Sequence, residues 1–232
     1  MSVVVGCAIG SSSATWAQCK SAYRNTAATQ SRVLVLRPKV RILGDGLSND
    51  IREGTSEAVQ AGFHEALSRT FEEKGYNVRF DTDAMAQWEE TPPNDEAIKT
   101  LQKEYDSLLP ADVYSKPDCK TLTETSLKTN LKRVADNDEF DVVVLARAFG
   151  EVRTTKESVG GAATAIIRGI GRAGSDKTLY FNIGVVDGGT GLPLYYCQST
   201  ARGDYVDAPD ARFSDPIQKC LKEYFSRWPA HH

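Results

Sequence analysis

Apolar residues fall along this chain in distinct rhythms, each predicting an element. Two runs are continuous, Val33-Leu34-Val35-Leu36 and Val142-Val143-Val144-Leu145-Ala146, as in strands covered on both faces. Pro38 closes the first, and Val40 to Leu43 resumes it before the Gly44-Asp45-Gly46 turn. The second runs on from Asp141 through Phe149 to about Thr155. Tyr76 to Asp81 alternates apolar and polar, as a half-buried strand does. Elsewhere the spacing is three and four. Val59, Phe63, Ala66, Leu67, Thr70 and Phe71 form one stripe of a helix over 55–74, with Thr55 or Ser56 as cap and Gly75 placed to end it. A second helix over 94–109 buries Ala97, Ile98, Leu101, Tyr105 and Leu108. A weaker third over 125–135 carries Leu127, Leu131 and Val134, after an irregular loop from Asp112 to Lys120. The last begins at Ser214-Asp215-Pro216 and buries Ile217, Cys220, Leu221, Tyr224, Phe225 and Trp228.

Two further strands, Thr178–Asp187 and Leu192–Cys197, flank Gly188-Gly189-Thr190-Gly191 and read as a hairpin. The predicted fold is one α/β (α+β) domain over 32–232: a mixed sheet of about five strands with helices packed on it. Residues 1–31 precede it as a flexible tether, because 8–30 is rich in Ser, Thr and Ala.

Composition narrows the function classes. The 232 residues carry a net charge of -3, which argues against a nucleic-acid binder with its basic stripe. No apolar run reaches the roughly 18 residues that a membrane-spanning helix needs. Five cysteines stand at 7, 19, 119, 197 and 220 without a C-x-x-C, so zinc ribbons and thioredoxin-like motifs are not expected. Setting Cys7 aside leaves four, which suit two disulfides in an oxidising compartment and allow three pairings. Cys197 lies on the strand after the hairpin turn and Cys220 on the inward stripe of the last helix, so these two are a candidate pair. Cys19 and Cys119 then pair by exclusion. Buried free thiols are the alternative for Cys197 and Cys220.

Candidate chemistry is sparse. His64 is the sole internal histidine, which removes most catalytic triads and zinc sites. The acidic groups Glu89-Glu90 and Asp136, Asp138, Glu139 lie in turn-like sequence without the pocket that an acid–base pair needs. No catalytic, metal or cofactor residues are expected, and the chain reads as non-enzymatic. Gly169-Ile170-Gly171-Arg172-Ala173-Gly174 matches G-x-G-x-x-G, but a strand follows it where a phosphate-binding helix is required. A small-ligand or nucleotide-binding domain using 169–174 is the alternative function. The surrounding stretch, with Gly160, Gly161, Ile166, Ile167, Arg168, Gly169 and Ile170, is either a surface loop or a contact for a partner or membrane, since small residues permit close backbone approach.

Two resemblances carry further expectations. Val4-Val5-Gly6-Cys7 resembles the lipobox of bacterial lipoproteins, in which the cysteine carries lipid and becomes the mature N-terminus. Over roughly residues 32–228, the order of elements, with Gly75-Tyr76, Asp141 to Ala146 and Val186-Asp187-Gly188-Gly189-Thr190-Gly191, resembles the small α/β domain of bacterial envelope lipoproteins. These include the curli-secretion lipoprotein, activators of penicillin-binding proteins and the N-terminal domain of the Tol translocation protein. The resemblance implies a signal peptide, lipid on Cys7, and a periplasmic domain anchored to the outer membrane. Its partner would be an envelope-assembly or secretion protein, with an oligomer open to it. The last motif would be a hairpin turn without catalytic duty. The insert over 158–177 occupies the interval where curli-type members build a pore, but it is short and lacks alternation.

Overall fold

The computed structural model of the protein describes residues 17–21, 32–44, 53–80, 95–111, 115–134, 140–152, 178–202 and 209–230. In chain order the elements are β1 (Ala17–Lys20), β2 (Arg32–Val35), β3 (Lys39–Gly44), α1 (Glu53–Glu72), β4 (Asn77–Phe80), α2 (Asp95–Ser107), α3 (Cys119–Glu124), α4 (Lys128–Val134), β5 (Val142–Val152), β6 (Thr178–Asp187), β7 (Pro193–Arg202) and α5 (Pro209–Arg227). The seven strands form a single mixed sheet in the order β1-β7-β6-β5-β2-β4, with β3 also on β5. This is the α/β domain expected, enlarged by β1 and by the division of one predicted strand into β2 and β3.

β5 divides the sheet. On one side β6, β7 and β1 follow antiparallel; on the other β2 and β3 run parallel to it, and β4 runs parallel to β2. β2 and β3 share the same edge of β5. Val33 to Val35 sit opposite Val142 to Val144, and Lys39 to Gly44 opposite Arg147 to Val152. Leu36 still donates to the Val144 carbonyl at 3.1 Å, but Pro38 has no N–H to offer, so the ladder breaks there.

The continuous apolar runs reflect burial on both faces. Val142 and Val144 belong to a core with α1 and α5, while Val143 and Leu145 belong to a second core under α2, α3 and α4. In the first core Phe63 meets Phe213 and Phe181 at centroid distances of 5.2 Å, and Tyr224 stacks on Trp228 at 5.3 Å. Each such ring contributes roughly 1.5–3 kcal/mol on burial. α1 ends as predicted. Gly75, at φ 86, lets its N–H bond to the Glu72 carbonyl at 2.8 Å and that of Tyr76 to the Phe71 carbonyl at 3.2 Å, the paired bonds of a Schellman motif. Tyr76 Oη then donates to the Trp228 carbonyl.

Several boundaries differ from the pattern. Residues 17–20, inside the Ser/Thr/Ala-rich stretch, pair with β7; four residues are too few for a periodicity to show. α5 starts at Pro209 rather than Ser214 and holds Pro216 within it, because Phe213 extends the apolar stripe onto Phe63. The third predicted helix is α4, which starts at Lys128, and a separate short helix, α3, precedes it from Cys119, where the irregular loop was expected to run on to Lys120. Asp118 caps α3 through its contact with Lys120 N at 3.1 Å. The chain then breaks at 125–127, where Leu127 N donates to the Gly191 carbonyl at 2.8 Å and Ser126 Oγ to the Thr190 carbonyl at 2.6 Å. The hairpin turn is thus a docking point for the α3–α4 connection.

That turn is built around Asp187. Its Oδ1 accepts from Thr190 N and Thr190 Oγ1, both at 2.7 Å. Gly188 N donates to the Asp141 carbonyl at 2.9 Å. Gly191 lies at φ +72, and a Cβ there would stand 2.3 Å from Lys128 N. Gly191→Ala should therefore lower unfolding free energy by about 3 kcal/mol, through a left-handed backbone and a backbone overlap together. At exposed Gly189 a Cβ meets nothing nearer than Asp187 Oδ1 at 3.6 Å, so Gly189→Ala should stay within about 0.5 kcal/mol. Urea denaturation of the two variants checks the contrast.

Burial pushes the phenols of Tyr76 and Tyr196 up to about 12, although a hydrogen bond with Tyr224 pulls the first back and the Arg147 charge the second. An unfolded tyrosine titrates near about 10. Between those values the fold keeps protons that the unfolded chain has released. Stability is therefore full below about pH 10 and falls as pH rises towards 12, by up to about 1.4 kcal/mol per pH unit for each tyrosine. Urea midpoints across that window should decline, and Tyr76→Phe should decline less steeply.

Candidate functional site

Two covalent clasps hold the sheet to its helices. Cys197 on β7 is bonded to Cys220 on α5, with Cα atoms 5.7 Å apart; Cys19 on β1 is bonded to Cys119 at the start of α3, at 5.2 Å. Strand and helix stripe bring the first pair together: Cys197 and Cys220 both point into the α1/α5 core, and Tyr195 Oη donates to the Cys220 carbonyl at 2.9 Å. The second clasp ties the edge strand to α3.

On the other face a polar row crosses the sheet. Lys39, Arg147, Asn182 and Gln198 stand at one level on β3, β5, β6 and β7, and directly opposed residues share a face. They mark the limit of the α2-side core, whose Leu145 lies one pleat away. Next to Leu145, Gly184 lets Tyr105 of α2 lie against the strand backbone, since a Cβ there would stand 2.3 Å from Tyr105 Oη. Beyond the row α2 ends, and a cavity of about 270 Å³ opens, lined by Lys39, Arg41, Asp106, Arg147, Tyr180 and Asn182 among others.

The cavity is electropositive. Asp106 is its one carboxylate among the described residues, with Lys39 Nζ at 2.6 Å from Oδ2 and Arg147 Nη1 at 3.8 Å from Oδ1. Arg147 Nη2 donates to the Pro110 carbonyl at 2.9 Å. Among the described lining residues three cations stand against one anion, an excess of two positive charges. Arg147 Nε and Asn182 Oδ1 are enclosed and make no hydrogen bond with the described protein groups. Sequence reasoning missed this site. Its signals were an arginine inside the Val142–Phe149 strand, at a position where alternation demands an inward side chain, and Lys39 and Arg41 two apart on β3.

The other candidates fare differently. Cys7, the partner-contact set Gly160, Gly161, Ile166, Ile167, Arg168, Gly169 and Ile170, and the Gly-rich 169–174 segment lie outside the described residues. His64 is half-buried, its Nε2 3.1 Å from the Val35 carbonyl. Among the described residues no cluster of three His, Cys, Asp or Glu suits a metal ion, and no helix is long and apolar enough to cross a membrane.

No family model and no curated protein sequence matches the chain. Among solved structures it is similar to the PelC dodecamer from Paraburkholderia phytofirmans, with 10% identity, TM-score 0.42, and coverage of 93% of this chain and 97% of that one. It is also similar to lipoprotein GNA1162 from Neisseria meningitidis, with 11% identity, TM-score 0.34, and coverage of 75% and 83%. The LpoB C-terminal domain from Salmonella enterica follows, with 12% identity, TM-score 0.29, and coverage of 75% and 85%. Likenesses with TM-scores below 0.5 assign neither function nor assembly to this chain.

The clasps differ in the loop each closes. With separations of 23 and 100 residues, chain entropy assigns roughly 3 kcal/mol to Cys197–Cys220 and between about 4 and 5 kcal/mol to Cys19–Cys119. Double substitution to alanine at each pair should lower stability in that order, read as urea midpoints under oxidising conditions.

Proposed function

We propose that this chain is a non-enzymatic outer-membrane lipoprotein whose periplasmic domain binds an envelope-assembly or secretion partner. The observation that carries the reading is the pairing of the cysteines. Two disulfides take four of the five, and stable disulfides belong to oxidising compartments such as the periplasm. Cys7 is the cysteine that remains, and it stands in the lipobox-like Val4-Val5-Gly6-Cys7. Nine residues separate it from Ala17, a span of at most about 36 Å even when fully extended. Lipid on Cys7 would hold the sheet within that distance of a bilayer. Stable anchoring takes more than one acyl chain, as lipoproteins of that type carry. The non-enzymatic part of the reading is supported by the shortage of nucleophile–base sets in a chain with one internal histidine.

The partner surface proposed is the 158–177 insert with Gly160, Gly161, Ile166, Ile167, Arg168, Gly169 and Ile170. In sequence it falls between the end of β5 at Val152 and the start of β6 at Thr178, two strands whose residues Phe149 and Tyr180 line the cavity. Metabolic labelling with palmitate in a bacterial host tests the anchor. The wild-type chain should take label and fractionate with membranes, while Cys7→Ala should take none and appear in the soluble periplasmic fraction. A photo-crosslinking residue at Ile167 should yield an adduct with an envelope protein. Unlabelled wild-type chain, or membrane attachment unchanged in Cys7→Ala, would remove the localisation.

A further inference from the structure

We infer that the cavity beside Arg147 is a binding site for a phosphate dianion that carries a P–OH or lies next to a hydroxyl. Neither lipid attachment nor the insert enters this inference. Charge sets the first requirement. Among the described lining residues, Lys39, Arg41 and Arg147 against Asp106 leave two positive charges at one cavity, in a chain whose overall net charge is -3. A phosphate near neutral pH carries about −1.5 to −2, a match that a single carboxylate does not reach.

Hydrogen bonding sets the second requirement. Among the described residues, the donors without a protein partner include Arg147 Nε, which is enclosed, and the guanidinium of exposed Arg41, which makes no ion pair. Guanidinium donors match phosphate oxygens in spacing and charge. The enclosed acceptor is Asn182 Oδ1, on a residue only 3% exposed. Enclosed polar groups without partners are costly and rare. An occupant that both accepts from Arg147 and donates to Asn182 removes both deficits. Hydrogen phosphate does so alone, and a phosphomonoester does so through a neighbouring hydroxyl. At about 270 Å³ the space is at the small end for ligand pockets. It suits a phosphate with a short attached group, whose carbon atoms would lie against Tyr180.

Such a group has two sources, a soluble phosphorylated compound or a lipid headgroup, and the test separates them. The oxidised full chain is titrated with inorganic phosphate and with glycerol 3-phosphate, chloride holding ionic strength constant. The melting temperature should rise in proportion to the logarithm of ligand concentration. Arg41→Ala should weaken binding about tenfold or more, and Arg41→Lys less. Arg41 is exposed, so neither change threatens the fold. Asn182→Asp, which sets a carboxylate against the anion, should abolish the shift while leaving the ligand-free protein folded by circular dichroism. Co-sedimentation with vesicles containing phosphatidate, lost in Arg41→Ala while glycerol 3-phosphate has no effect, identifies a headgroup. A response to glycerol 3-phosphate without vesicle binding identifies a soluble ligand. Shifts no larger than those given by chloride, together with no vesicle binding, overturn the inference. So does a phosphate response of equal size in wild type and Arg41→Ala.

Discussion

A strand paired along both edges and covered on both faces has no surface left to water, and β5 is that strand over its first half. Val142 to Leu145 bond to β2 and β6 and sit between two cores. Everything around them follows from that enclosure. Their backbone groups need a partner strand on each side, since unpaired buried amides are costly. Their side chains need helices on each face. α1 and α5 cover one face and α2 to α4 the other, and the parallel β2–β5 pairing requires a long crossover, which α1 and the following segments supply. Asp141 seals the entrance to the strand. Its carboxylate accepts from Arg32 N at 2.9 Å and Arg32 Nη2 at 3.1 Å, and its own N–H and carbonyl bond to Arg32 and Gly188.

How much of this was legible depends on what each segment records. Elements that bury a full face leave a period in the sequence. Val33–Leu36, the α1 stripe, the hairpin and the α5 stripe were readable for that reason, and with them the placing of Cys197 against Cys220. Elements defined by a distant partner leave none. β1 is a strand because β7 has an open edge, which nothing within Ala17–Lys20 announces, although counting the cysteines paired Cys19 with Cys119 by exclusion. The break between α3 and α4 comes from hydrogen bonds to Thr190 and Gly191, more than sixty positions away. The cavity was invisible for a related reason. Lys39 and Arg147 are neighbours only because two strands align in register, and a register is a property of the pair rather than of either segment.

The polar row also bears on why the second core stops where it does. Leu145 and Val143 pack under α2, yet one step along the same strand face stands Arg147. A leucine there would extend the apolar layer by one pleat. Arg147 instead bonds to Pro110, just past the end of α2, and faces Asp106 within it. The guanidinium therefore closes the end of the helix against the sheet and places charge at the same point. Helix end, core boundary and electropositive site coincide because one side chain serves all three.

The clasp at Cys19 has a mechanical side. Of the described elements, β1 is the first that a pull on the N-terminal end of the chain would reach. An antiparallel edge strand drawn from its end unzips one hydrogen-bonded pair after another, and only four residue pairs hold β1 to β7. Cys19 is the third of those four. Once Ala17 and Gln18 have peeled away, tension crosses the sulfur bridge to Cys119. It then enters α3, whose Leu122 is locked in the second core. The force that would strip an edge strand becomes a force on the whole domain, which yields only by breaking a covalent bond or by unfolding together.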